Sequence, residues 1–353
     1  MVLPDKDSAE YCASDLYTLV KGDRVFFLPD SGKNVERSNY KSSLGVQRTS
    51  AVGSILADQD NASQLFIVTY PEALEEPVPE KKRIADSLLT LRKGDTISHE
   101  SIAAALYEKK FSRVDFVSAP GQFAIRGAVV DIFSYSFNDP FRISFFGDEV
   151  EKINVFDCNT QLSKEERDSA DIFPDIVADD GPGVSIAEIL PKETLVWMDS
   201  SDMYREKPFY GGLESFRKVY IDTPLSHQGE EQVKFRISPQ PVFNKNFELL
   251  SADIRSRMES GYKVFIYTEK ESQVERLRSI LYQNEGVMPE FIPEQNIHKG
   301  FIDNEDKLCC YTDHEIFDRF HRVSIRRTVE KSEQLTLNDL NSFNIGDYVV
   351  HID

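Results

Sequence analysis

The sequence predicts an α/β protein: an incomplete parallel-sheet domain with an inserted small α+β domain, followed by a second small α/β domain. Three observations lead there. Short apolar runs alternate with helically spaced segments near the N-terminus, sheet segments with period-two alternation lie between residues 121 and 153, and two strand-then-helix patterns recur in the last third.

The first part supplies few strands. Val25 to Leu28 and Leu65 to Thr69 read as short buried strands, with helical character in Asp5 to Leu19 and Lys41 to Ile55. An open parallel sheet needs more strands than these, so a later segment is expected to return to it. Ile186 to Leu190 reads as a short helix and Thr194 to Met198 as a strand that could complete that sheet. The first domain is therefore placed at residues 1–80 and 175–234.

The insert is placed at residues 81–174. It opens with a helix spaced by Ile84, Leu88 and Leu91 and ended by Gly94, followed by a helix from Glu100 to Phe111 with Ser98 as its N-cap. Two sheet segments follow, Gly121 to Phe133 and Phe141 to Ile153, separated by the Asn138-Asp139-Pro140 turn. In Phe141 to Phe146, strand alternation sends Phe141, Ile143 and Phe145 to the core, and Arg142, Ser144 and Phe146 to the opposite face. A large aromatic then shares a polar face with an arginine, the two residue types that dominate interface energetics. Lys164 to Gly183, rich in Asp, Glu, Pro and Gly, reads as a linker.

Residues 235–326 read as a small parallel sheet. Phe247, Leu250, Ile254 and Met258 form one helical stripe closed by Gly261, and Lys263 to Tyr267 is a buried-type strand. Thr268-Glu-Lys-Glu271 fits a capping box before the stripe Val274, Leu277, Leu281, and Leu308 to Tyr311 followed by Thr312-Asp-His-Glu315 repeats the pattern. Residues 327–353 read as a linker and an element that stops inside a strand, Tyr348 to Ile352.

Composition narrows the partner class. Sixty acidic against forty-one basic residues leave a net charge of -19, which disfavours a phosphate-tracking groove and favours a protein partner. Cys12, Cys158, Cys309 and Cys310 show no CxxC spacing and read as reduced thiols, consistent with a cytoplasmic chain. Met1 to Asp5 lacks a signal-peptide pattern, and no run approaches the length of a membrane span. Catalytic constellations are weak. Ser31-Gly-Lys-Asn34 lacks the upstream glycine and the Ser/Thr that a phosphate loop needs. Asp313, His314, Glu315 and Asp318, with His321 beyond them, read as capping and solvated groups, and the pairs Glu165-Glu166 and Asp179-Asp180 as solvated charge. No catalytic, cofactor or metal residue is assigned.

Phe123-Ala-Ile-Arg-Gly-Ala-Val-Val-Asp-Ile-Phe133 with Phe141-Arg-Ile-Ser-Phe-Phe-Gly-Asp-Glu-Val-Glu-Lys-Ile153 resembles the signature of the domain shared by bacterial transcription-repair coupling factors and excinuclease B. The tail Asn344 to Asp353 resembles the opening of the RNA-polymerase-interacting domain found in the coupling factors. The resemblance implies an N-terminal piece of a larger motor protein in which ATP, Mg, RNA polymerase and DNA are handled by domains beyond residue 353, so that this chain is not itself an enzyme. It also implies that the inserted domain binds the excinuclease A subunit in transcription-coupled nucleotide excision repair. The family's two contact arginines and phenylalanine match Arg126, Arg142 and Phe146. The alternative class is an excinuclease-B-like ATP-dependent DNA helicase fragment.

Overall fold

A computed structural model describes residues 1–20, 24–32, 38–57, 64–137, 139–158, 160–178, 182–199, 204–221, 233–285, 288–295 and 297–319, without the side chains of 38–43, 57, 199 and 283–285. Lys33 and Asn34 of the phosphate-loop candidate, Asn138 of the expected turn, Asp179-Asp180, His321 and the tail assigned to 327–353 lie outside the described residues. The chain divides into two compact units. One comprises Met1–Phe27, Ser63–Pro71 and Glu193–Ile325, the other Leu28–Ala62, Glu72–Lys192 and Arg326–Asp353.

In the first unit, strands Val25–Phe27 and Phe66–Val68 pair in parallel. Helix Lys6–Val20 packs on them. The main chain at Val2 bridges Thr69 and Met198, with Val2 N–H donating to the Trp197 carbonyl at 2.7 Å and Leu3 N–H to that of Thr69 at 2.9 Å. Strand Leu195–Asp199 pairs in parallel with Arg217–Ile221 as a separate two-stranded sheet, linked to the first pair through the Val2 bridges.

The same unit holds a five-stranded sheet in the order Ile237–Pro239, Phe301–Asp303, Leu308–Thr312, Lys263–Thr268, Glu290–Pro293. The expected parallel arrangement holds for the last three strands, while Phe301–Asp303 and Ile237–Pro239 are antiparallel. The turn between Asp303 and Leu308 is too short for the crossover that a parallel pair requires. Helix Phe247–Glu259 is capped by Asn246, whose Oδ1 accepts from Leu249 N–H at 3.0 Å, and Gly261 follows it in the left-handed region (φ +83). Leu250, Ile254, Val264, Ile266, Leu277 and Leu281 form the core between helices and sheet.

Neither expected capping box forms. The second helix starts at Glu271, and Thr268, fully buried at its strand end, has no partner for its hydroxyl among the described residues. Thr312 donates to the Glu315 carboxylate at 2.8 Å instead of accepting from a helix N–H, because Glu315 is held inward by Gly300 N–H at 2.6 Å. Asp313 and His314 are likewise buried rather than solvated, and His314 Nε2 donates to the His298 carbonyl at 3.0 Å.

In the second unit, helix Lys81–Ser87 ends before Leu88, and Leu89–Arg92 is a strand paired antiparallel with Ser169–Ile172. Ile84, Leu88 and Leu91 fit a helical stripe, but the cross-strand pairing buries Leu91 together with Ala170 and Ile172, and tertiary packing outweighs local propensity. Much of the expected linker Lys164 to Gly183 is sheet as well. Ser163–Arg167 is an exposed edge strand whose acids are paired, Glu166 with Lys152 (2.9 Å) and Lys93 (3.5 Å), and Glu165 with Arg167 (3.0 Å). Charge on an edge strand is how a sheet avoids further pairing, so an acidic composition here marks an edge and not a tether.

That strand closes a six-stranded sheet in the order Ser163–Arg167, Glu149–Phe156, Phe141–Phe146, Val129–Ile132, Gln122–Arg126, Ser112–Arg113. Helix His99–Glu108, with Ser98 accepting from Ser101 N–H, lays Ile102 and Leu106 on one face of it. The opposite face carries the candidate site.

Candidate protein-docking face

Alternation along Phe141–Phe146 follows the pleat. Phe141, Ile143 and Phe145 are at most 4% exposed, whereas Phe146 is 80% exposed. Register extends the outer face across the neighbours: Asp131 lies opposite Arg142, Val129 opposite Ser144, and Arg126 opposite Val129. Arg126 and Phe146 each precede a two-residue hairpin turn whose first residue, Gly127 (φ +59) or Gly147 (φ +63), is left-handed. Both side chains are thereby brought to the same end of the sheet.

The face has three zones. At one end a small second core of Val117, Ala124, Phe133 and Phe156 covers it. In the middle, Asp131, with a side chain 1% exposed, is shared by the two arginines. Arg142 Nε donates to Oδ1 at 2.8 Å and Nη2 to Oδ2 at 2.9 Å, and Arg126 Nη2 donates to the same Oδ2. At the open end stands Phe146, four residues beyond Arg142, roughly 13 Å along the strand. Among the described residues no segment of the former linker covers it: Ser163–Arg167 lies at the sheet edge and Ser169–Ile172 pairs with Leu89–Arg92.

The arginines differ in what they have left to offer. Arg142 also donates from Nη1 to the Gln161 carbonyl (3.2 Å) and from Nη2 to Gln161 Oε1 (2.7 Å), and its guanidinium lies 4.0 Å over the Phe156 ring. The hydrogen bonds to Asp131 raise its pKa, against the opposing effect of burial, so it is charged at any ordinary pH. Its two-pronged fork is therefore engaged within the domain. Arg126 has a side chain one-third exposed, holds Asp131 through one nitrogen, and stacks 4.5 Å over Phe116, itself 63% exposed.

The structure brings together all three residues expected from the sequence, Arg126, Arg142 and Phe146, on one face. It adds Asp131, Gln161 and Phe116, which sequence reasoning passed over. Asp131 had a readable signal, as the single acid in the apolar run Ala128 to Phe133 opposite an arginine-bearing strand. Gln161 and Phe116 lie in loops whose folding back no periodicity reports. Ser31 and Gly32 are tied to carboxylates of the chain itself, Ser31 N–H and Oγ to Glu76 (2.7 and 3.0 Å) and Gly32 N–H to Asp30 (2.7 Å). All four cysteines are free thiols. Among the described residues no helix is long and apolar enough to cross a membrane.

Residues 89–176 match the family model described as UvrB interaction domain. Curated relatives include a transcription-repair-coupling factor of Bacillus subtilis (strain 168), 28% identical over 167 residues, which is 47% of this chain and 14% of that protein. They also include UvrABC system protein B of Streptococcus uberis, 31% identical over 168 residues (46% and 25%), and of Streptococcus pneumoniae (strain Hungary19A-6), 32% identical over 168 residues (46% and 25%). The chain thus matches a quarter or less of the length of these relatives. Over residues 89–176, which hold most of the six-stranded sheet and its covering helix, the chain is similar to the UvrB interaction domain family.

Proposed function

We propose that this domain is a docking module of nucleotide excision repair that binds the excinuclease A subunit through Arg126, Arg142 and Phe146, and that the chain serves transcription-coupled repair as an N-terminal part of a coupling factor. The observation that carries the reading is a fully presented phenylalanine on the same strand face as two arginines fixed by one buried carboxylate. Such a face is prepared before a partner arrives, and little side-chain entropy remains to be lost on binding. Phe146 supplies the apolar anchor. Arg126 supplies the available charge, and Arg142 holds the frame while exposing an edge of its guanidinium. No cofactor takes part in this step. RNA polymerase, DNA, ATP and Mg belong, on this reading, to other parts of the full-length protein. Titration of the purified chain into excinuclease A by calorimetry, with a DNA duplex as control, tests the reading: binding to the protein and none to the duplex is expected.

A second reading has one observation in its favour, the higher identity to UvrABC system protein B (31–32%) than to the coupling factor (28%). On that reading the chain is part of an excinuclease-B-like helicase. Its test is a nucleotide titration followed by thermal melting, in which a rise in Tm with ATP supports the helicase reading and an unchanged Tm supports the coupling factor.

A further inference from the structure

A second surface, with no residue in common with the docking face, lies on strand Ile237–Pro239 at the edge of the five-stranded sheet. No described strand pairs with its outer side. Ile237 on the strand, and Val233 and Phe235 in the segment leading into it, recur at every second position and are 52%, 72% and 72% exposed, a degree of apolar display that sheet edges ordinarily avoid. The backbone has a defined polarity. The Arg236 carbonyl accepts from Asn304 N–H (3.0 Å) and Gln240 N–H donates to the Gly300 carbonyl (3.0 Å), so even-numbered residues point toward Phe301–Asp303. By ladder alternation, the N–H and C=O of Ile237 point outward, Pro239 ends the row because it has no N–H, and Phe235 lies in the extension that precedes the strand.

Charge selects what this edge can accept. From Val233 to Phe247 there is no Asp or Glu, in a chain of net charge -19; Lys234 and Arg236 supply two bases at the edge, and a third, Lys245, is paired with Asp318 at 4.0 Å. Asp303, opposite Ile237, lies on the other face of the pleat from Arg236, and its Oδ1 accepts from the N–H groups of Glu305 and Asp306. Two copies paired edge to edge would set Lys234 and Arg236 of each against those of the other, which is unfavourable. We propose that this edge accepts, by strand addition, an extended segment of a partner protein in which apolar residues alternate with acidic ones. Its apolar residues cover Val233, Phe235 and Ile237, and its carboxylates meet Lys234 and Arg236.

The test uses the full chain and a fluorescein-labelled ten-residue peptide alternating valine and glutamate, with a valine–lysine peptide as control, read by fluorescence anisotropy. Saturable binding of the glutamate peptide at least tenfold tighter than the lysine peptide is expected. Ile237→Pro removes an outward N–H without touching a bond to Phe301–Asp303, and should weaken binding at least tenfold at unchanged circular dichroism. The exposed double variant Lys234→Glu/Arg236→Glu should reverse the peptide preference, and it keeps the test decisive if Ile237→Pro unfolds. Equal binding of both peptides, no binding of either, or a concentration-dependent dimer abolished by Ile237→Pro would overturn the proposal.

Discussion

Asp131 and Arg142 form a two-point ion pair across adjacent antiparallel strands, Nε to Oδ1 at 2.8 Å and Nη2 to Oδ2 at 2.9 Å, with the carboxylate 1% exposed. Such a fork fixes a guanidinium in direction as well as position. Because Arg126 binds the same carboxylate, one acidic residue sets the geometry of two cations on the face.

Removing that carboxylate should therefore cost stability and binding together. Asp131→Ala leaves two adjacent cations without their counter-charge. Since both arginines remain partly solvated, the expected loss is about 2 kcal/mol, below the figure for a fully buried pair. Urea unfolding should show a lower midpoint at an unchanged slope, and binding of excinuclease A should weaken even at temperatures where the variant is folded.

Neighbouring phenylalanines should separate folding from docking. Phe145→Ala opens the core beneath helix His99–Glu108 and is expected to cost about 3–5 kcal/mol of stability. Phe146→Ala changes an 80% exposed side chain and should alter stability by less than about 0.5 kcal/mol while costing about 2 kcal/mol of binding, roughly thirtyfold in Kd. Parallel melts and binding isotherms of the two variants check this.

Gly121 opens the sheet segment Gly121 to Phe133 for a steric reason. A Cβ there would lie 2.2 Å from the Tyr135 hydroxyl oxygen, and the backbone is left-handed (φ +81). Gly121→Ala should destabilise the domain by about 2 kcal/mol or more, and Gly121→Ala with Tyr135→Phe should recover part of the loss by removing the nearest atom. Thermal unfolding of the single and double variants measures the recovery.

Asp15 offers a pH test in the other unit. Burial raises its pKa to about 6, although its Oδ1 accepts from His298 N–H at 2.7 Å, which works in the opposite direction. A carboxyl whose folded pKa lies above its unfolded value penalises folding when ionised, so its contribution becomes more favourable as pH falls from about 6 toward 4. Asp15→Asn keeps an acceptor without the charge and should stabilise the chain by about 1–2 kcal/mol at pH 7 and by almost nothing at pH 4. His298, whose pKa burial lowers, acts oppositely over part of this window and is common to both proteins, so the difference in Tm isolates Asp15.

Period-two alternation made Arg142, Ser144 and Phe146 legible from sequence because the pleat leaves no other arrangement once Phe141, Ile143 and Phe145 are buried. Arg126 became a candidate only through the family resemblance, since its place beside Asp131 depends on register across three strands. The stripe Ile84, Leu88, Leu91 misled because three apolar residues fit a helix or a helix followed by a strand equally well, and the deciding partner, Ser169–Ile172, lies some eighty residues away. The edge strand Ser163–Arg167 read as linker for a related reason: an exposed strand with charges on both faces has no hydrophobic period to read.

Docking of excinuclease A on the Arg126, Arg142 and Phe146 face is tested by calorimetric titration of excinuclease A with the native chain and with Arg126→Ala/Phe146→Ala, two substitutions of exposed or partly exposed side chains, after circular dichroism has established that the variant is folded. Binding by the native chain and a loss of at least a hundredfold in the variant are expected. Equal affinities for the two would rule this docking face out.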